Sequence, residues 1–471
     1  MNEFVRLILG ELQGALGLIS VGLLLCVAIL GVVYIVFQEK NKKEREFPWK
    51  KAILILLFAG YTVIVLYATI LRGTGYGTKY INLHLFRAWK EVWNSFSVKT
   101  WLNVLLNIAL FVPLGILLPC FGSTMKKWYV MLGAGFGVSF LIEILQYILN
   151  RGLFDIDDLF ANTLGAMLGF CIVMFIASVQ KKEERLWKKS VAYALLPIVT
   201  VAAISGIFIA YQLQEYGNLT TAAVYKTNTK DIEWILMTDL DDSQQMANVY
   251  RTEIYDKEAC DDFGRTFFDK IDVELQDIRY YDEETWFCNH NSPGHFLMVS
   301  RLDKSYTYHT VDMENNAWAE TDEETLRKML LAYGIEIPES ASFSYLGEGM
   351  HQFSVEPYTN SVIQTEVAMM EGIVQCRFTE QGTIREINNH LLVLEFYKEE
   401  PVISKEEAYK QLCAGNFTGN FEFYKPEKIE VKSCELEYTI DTKGFYQPVY
   451  SFEISDEKQE YDDIITIPAL K

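Results

Sequence analysis

Six runs of about twenty apolar residues leave the first 212 residues few alternatives to a bundle of membrane helices. They lie at Leu16–Phe37, Ala52–Leu71, Leu102–Cys120, Tyr129–Leu149, Leu159–Ser178 and Val191–Gln212. A helix rises about 1.5 Å per residue, so each run is long enough to cross the hydrocarbon core of a bilayer. Asn103 and Asn107 interrupt the third run and Asn162 the fifth, and Pro113 is expected to bend the third. The first run is a full span in length and no small-residue cleavage pattern follows it, so it reads as an anchor and not as a signal peptide. After Gln212 the runs stop. The expectation is an α-helical polytopic membrane domain of about six transmembrane helices, residues 1–212, followed by an α+β domain, residues 213–471.

Charge divides at the same place. Residues 1–212 carry 20 Lys and Arg against 12 Asp and Glu, a net +8, whereas residues 213–471 carry 22 against 50, a net −28. So acidic a tail repels polyanions, and the basic residues of the first part flank apolar runs, which argues against nucleic-acid binding. The partner they imply is the lipid bilayer. Lys40, Lys42, Lys43, Arg45, Lys50 and Lys51 follow the first run, Lys126 and Lys127 the third, and Lys181, Lys182, Arg185, Lys188 and Lys189 the fifth. Basic loops stay in the cytoplasm, which places the N-terminus, the loops 72–100 and 150–158, and the whole tail outside it. Arg72, Lys79, Arg87, Lys90 and Lys99 count against this orientation.

Unusual polarity gathers on the outward-facing elements. Glu143 and Gln146 are three apart near the end of the fourth span, hence on one helical face, and Asn107 lies at a similar depth in the third. Arg151, Asp155, Asp157, Asp158 and Asn162 follow. An ionisable residue in a span faces the bundle interior or a wet cavity and finds partners there. For Glu143 the available ones are Asn107, Gln146 and Arg151, and the bland alternative is that it only holds helices together. Asp157 or Asp158 can cap the fifth span by accepting N–H groups of its first turn. Three acidic residues within four positions exceed what a cap needs, so a cation site or a pair with Arg151 or Arg72 stands beside that reading. Gly165 to Gly169 and Gly133 to Gly137 offer small residues for close helix contact.

This pattern resembles the VanZ-like family. The residues that carry the likeness are Asn107, Phe111, Pro113, Leu114 and Gly115, then Glu143 and Gln146, then Arg151, Asp155, Asp157, Asp158, Asn162 and Gly165, over about residues 52–178. The family's upstream Asn–Leu–x–Pro–Phe element is Asn82-Leu-His-Leu85-Phe86, with Leu85 in place of proline. The family is named for a protein linked to teicoplanin resistance in Gram-positive bacteria, so the resemblance implies the cell envelope without implying a reaction.

In the tail, His351–Glu356 and Ile429–Tyr438 alternate as strands, and Thr321–Leu331 reads as a helix. Thr321 with Glu324, and Ser404 with Glu407, have capping-box spacing, the second before a helix ending near Leu412. There is room for two subdomains dividing near residues 345–400. The stretch Ile403–Tyr409, followed by Tyr446-Gln-Pro-Val-Tyr450, is similar to PepSY-like modules and to outer domains of regulators of cell-wall-sensing kinases. Cys260, Cys288, Cys376, Cys413 and Cys434 are odd in number and leave one or two disulfides open, while Cys26, Cys120 and Cys171 belong to apolar runs. His290-Asn-Ser-Pro-Gly-His295 reads as a turn rather than a metal site. No metal-ligand spacing, cofactor loop or catalytic order stands out, so no catalytic residue, metal or cofactor is assigned.

The leading reading is a binding protein of the Gram-positive envelope. Its outer polar pocket of Asn107, Glu143, Gln146, Arg151, Asp155, Asp157, Asp158 and Asn162 holds an envelope component or a glycopeptide and contributes to teicoplanin-type tolerance, while the tail is a sensor or interaction module. The rival is a membrane enzyme acting on a lipid-linked or amphiphilic substrate at the outer leaflet, with Glu143 or a loop aspartate as general base or metal ligand. Transport is the weakest reading, because no inverted repeat is visible.

Overall fold

The computed structural model describes residues 34, 37, 47–71, 81–180, 187–243, 245–252, 254–281, 284–311, 317–355, 369–418, 421, 426–456 and 463–471. These fall into two compact units that divide between Leu213 and Gln214, residues 94–96 being grouped with the second.

Five helices of the first unit are long and apolar enough to cross a membrane: Trp49–Ile70, Val98–Cys120, Trp128–Leu149, Ile156–Gln180 and Lys189–Leu213. They correspond to the second to sixth apolar runs. The sixth helix of the expectation, over Leu16–Phe37, lies outside the described residues except for Tyr34 and Phe37. In chain order the helices are α1 (Trp49–Leu66, continued by a wider turn to Leu71), α2 (Arg87–Ser95), α3 (Val98–Leu117), α4 (Trp128–Leu149), α5 (Ile156–Gln180) and α6 (Trp187–Leu213). Pro113 sits inside α3, where it removes one backbone donor yet leaves the helix running four residues further.

Close packing centres on α5. A Cβ on Gly165 would meet the backbone oxygen of Ile108, one on Gly169 that of Val112, and one on Gly115 that of Ala166. The absence of side chains at these three positions is what lets α3 and α5 lie backbone against backbone. The other glycine set does less. Only Gly135 approaches a neighbour, the Ala166 side chain, whereas Gly133 and Gly137 have nothing within 4 Å, so the packing role expected of that set shrinks to one residue. Phe111, Leu114, Met131, Ile142, Ala166 and Phe170 fill the seam. α6 docks through Phe208 stacked on Trp101 at 4.6 Å and through Tyr211 edge-on to Trp93 at 6.5 Å. Elsewhere it leaves Leu195, Ile198 and Val201 exposed, as a lipid-facing helix does.

In the second unit the helices α7 (Lys257–Lys270), α8 (Glu323–Ala332) and α9 (Lys405–Cys413) accompany an extensive antiparallel sheet. Its longest strands, Lys428–Ile440 and Phe445–Asp456, pair antiparallel with Leu436 opposite Tyr450. Strand Glu233–Leu236 joins the outer side of the first in parallel register, Glu233 against Lys428. Two hydrophobic cores result. One gathers Phe267, Phe287, Leu297, Tyr308, Leu326, Phe353 and Cys376; the other gathers Ala247, Val402, Leu412, Val431, Tyr450, Phe452 and Ile467, residues that flank the first group in sequence. Ser404 caps α9 by accepting the Glu407 N–H, as its spacing predicts. For α8 the expectation is off by one residue, because Asp322 and not Thr321 accepts the Thr325 N–H. The carboxylate is the stronger acceptor at the positive end of the helix.

Tyr450 donates its hydroxyl hydrogen to the Ile403 carbonyl at 2.8 Å, tying the Pro-Val-Tyr strand to the entry of α9. His290–Pro293 form the turn between strands Glu284–Asn289 and Gly294–Ser300. All five tail cysteines are free thiols. Burial pushes the Cys376 thiol up to about 12 and Cys434 up to about 11, so these two behave as small core hydrophobes. His351 is fully buried, accepting the Thr321 N–H and contacting the Gly349 carbonyl at 3.0 Å; burial lowers its pKa.

Candidate functional site

The polar residues converge where α4 ends and α5 and α2 begin. Two short strands, β1 (Ile81–Asn82) and β2 (Phe154–Asp155), pair in parallel there and set Asn82 beside Asp155. Glu143 is 1% exposed, and its Oε2 accepts the Asp155 N–H at 3.0 Å, so a carboxylate on α4 holds the start of α5. Asp155 Oδ1 in turn accepts from Asn82 Nδ2 at 3.0 Å and from the Asp157 N–H at 2.8 Å. The second of these bonds is an N-cap, since Asp155 precedes the first residue of α5 and bonds the N–H of its second.

Asp157 does something the sequence did not suggest. Its two oxygens accept the N–H groups of Phe86 at 2.6 Å and Ala88 at 2.7 Å, seating the carboxylate on the N-terminus of α2. The capping role expected of Asp157 or Asp158 on α5 therefore belongs to Asp155, and Asp157 caps a different helix. The reason is physical: the free N–H groups of α2, next to the positive end of its dipole, attract a buried anion more strongly than solvated groups would. Phe86 adopts φ 68°, a left-handed backbone uncommon for a residue with a Cβ, at the point where its N–H turns to Asp157. Leu85 stands directly before it, where the family pattern has proline.

The remaining residues bridge helices. Asn107 Nδ2 donates to Asp158 Oδ1 at 2.5 Å, joining α3 to α5. Asn162 Nδ2 donates to Ser139 Oγ at 3.0 Å, joining α5 to α4. Gln146 Nε2 donates to the Thr69 carbonyl at 3.0 Å, joining α4 to the turn that ends α1. Arg151 is exposed; its backbone N–H closes α4 on the Gln146 carbonyl at 2.9 Å, with Asn150 in the left-handed conformation that such helix ends favour. Gly152 packs against the Gln146 side chain, and a Cβ there would sit 3.1 Å from it. The four carboxylates take backbone N–H groups and amides as partners; the expected pairing of Glu143 with Asn107, Gln146 or Arg151 is replaced by the Asp155 backbone.

Seven of the eight expected residues thus enter these contacts through their side chains, and Arg151 contributes its backbone N–H. Asn82 was missed as a site residue although it heads the Asn82-Leu-His-Leu85-Phe86 element; it is 2% exposed, donates to Asp155, and accepts the His84 N–H. Ser139 and Thr69 were missed without any local signal, being ordinary polar residues in apolar runs. Among the described residues no group of three His, Cys, Asp or Glu is placed to hold a metal ion.

The family model described as VanZ/LLP1 matches residues 51–177. No curated protein matches. Among solved structures there is a likeness to an uncharacterized protein from Eubacterium rectale ATCC 33656, 12% identical over 50% of this chain and 86% of that one, with a TM-score of 0.26. Another is to the Bacillus megaterium YpeB C-terminal domain, 12% identical over 47% of this chain and 95% of that one, with a TM-score of 0.17. The family match runs from α1 to the end of α5 and includes every residue of the network just described. This is a multi-pass membrane protein whose residues 51–177 form a VanZ-like segment.

Proposed function

We propose that this protein works at the outer face of a Gram-positive cell membrane, where the network around Asp155 binds an envelope component or a glycopeptide and contributes to teicoplanin-type tolerance. The acidic tail is extracytoplasmic in this reading and serves as a sensor or interaction module. One observation carries the proposal: Glu143, Asp155, Asp157 and Asp158, from α4, β2 and α5, gather with Asn82 and Asn107 at one end of the bundle. Buried carboxylates in a membrane helix bundle are expensive, and the glue function alone would be served by uncharged amides.

Binding is preferred to catalysis. Glu143, Asp155 and Asp157 each accept backbone N–H groups, which commits them to holding the loop and leaves them poor candidates for taking a proton from a substrate. The test is complementation of a deletion strain with wild type, Glu143→Gln or Asp158→Asn, with teicoplanin susceptibility as readout and membrane levels checked by blot. Wild type is expected to restore tolerance while the equally expressed variants do not. Variants that restore it as well as wild type would make the network structural.

A further inference from the structure

Each amide of the network spends one of its two N–H groups on the protein. Asn82 gives to Asp155, Asn107 to Asp158, Gln146 to the Thr69 carbonyl and Asn162 to Ser139. Asn162 Oδ1 and Gln146 Oε1 are buried and have no hydrogen-bond partner among the described residues, and Asn162 is 4% exposed. Glu143 and Asp158 each bond through a single carboxylate oxygen.

Three of these acceptors, on Asn162, Glu143 and Asp158, share one seam. Asn162 follows Asp158 by four residues on α5, and its partner Ser139 precedes Glu143 by four on α4, so the Asn162–Ser139 bridge lies one helical turn from each carboxylate. Buried acceptors are normally satisfied, and an unmet one next to carboxylates calls for a partner that brings both donors and positive charge. A metal ion fits poorly, since no three His, Cys, Asp or Glu among the described residues are placed to hold one. A guanidinium presents its donors in one plane, suited to a single carboxylate, whereas three acceptors on two helices match the three N–H bonds of an ammonium group.

We propose that the α4–α5 seam binds a primary ammonium group, carried by a phospholipid headgroup or by a free amine. This rests on reading the network as a ligand site and names the chemistry it accepts. The test uses the purified full chain in nanodiscs of phosphatidylglycerol alone, of phosphatidylglycerol with phosphatidylethanolamine, and of phosphatidylglycerol with phosphatidylcholine, whose quaternary nitrogen has charge and no N–H. Melting in the ethanolamine lipid is expected to lie about 2–5 °C above the other two. Ethanolamine added to plain phosphatidylglycerol discs separates the sources: a matching rise means that the free amine suffices, and no rise beside a lipid effect means that the headgroup is bound. Asp158→Asn and Asn162→Leu are expected to abolish the increment. Equal melting of wild type in all three lipids and with ethanolamine overturns the proposal without any variant, as does Asp158→Asn retaining the full increment. Complementation that fails to depend on Glu143 or Asp158, beside an intact lipid increment, would instead remove the tolerance reading and leave the ammonium site standing.

Discussion

Asp157→Ala should be the most damaging single change in the polar network. The substitution strips both acceptors from the Phe86 and Ala88 N–H groups, leaving two donors at the start of α2 without their anion. Hydrogen bonds to a charged group contribute about 1.5–3 kcal/mol each, so the loss is expected to reach about 3–5 kcal/mol. Asp157→Asn keeps one acceptor oxygen and turns an NH₂ group toward the other N–H, so it rescues only part of this. Thermal melting of the purified full chain, with limited proteolysis between α2 and α3, reads the effect. If Asp157→Ala melted together with wild type, the carboxylate would not be holding α2.

A methyl group at Gly165 is expected to be nearly as disruptive. The added carbon would meet the Ile108 carbonyl oxygen, and at Gly169 that of Val112, so α3 and α5 must separate along their closest line of approach. Overpacking of this kind costs about 1–3 kcal/mol in a core whose neighbours can shift, and backbone against backbone can shift little. Gly165→Ala and Gly169→Ala are therefore expected to lower melting and membrane yield, with Gly165→Leu failing to accumulate. Gly133→Ala and Gly137→Ala have open space around them and are expected to stay within about 0.5 kcal/mol of wild type. Equal damage at Gly133 and Gly165 would contradict the packing described.

The spans were legible because a bilayer imposes one length and one polarity on any helix that crosses it. Their ends were less so. α3 starts at Val98 and α5 at Ile156, ahead of the apolar runs at Leu102 and Leu159, because the hydrogen-bonded backbone continues through Lys99, Asp157 and Asp158 after hydropathy has fallen. α2 escaped notice as nine residues in a charged loop, with only Val92 and Asn94 buried among them. The partners of Asp157 were out of reach for a different reason. They lie about seventy positions upstream, brought close by the β1–β2 pairing of Asn82 with Asp155, and a two-residue strand leaves no periodicity to detect. In the tail Ser404 announced its helix correctly since cap and capped N–H are three residues apart, while the parallel pairing of Glu233 with Lys428 is a long-range contact that no local pattern encodes.

An outward-facing ligand site requires the network and the tail to lie outside the cytoplasm. Cys120 is exposed at the opposite end of α3 from β1 and α2, and Asn291 is exposed in the tail turn. Variants keeping a single accessible cysteine, native Cys120 or Asn291→Cys, can be treated in intact cells with a membrane-impermeant maleimide. The account predicts that Asn291→Cys is labelled at once and Cys120 only after lysis. Labelling of Cys120 in intact cells, with Asn291→Cys protected until lysis, would put the tail in the cytoplasm and contradict an outward-facing ligand site.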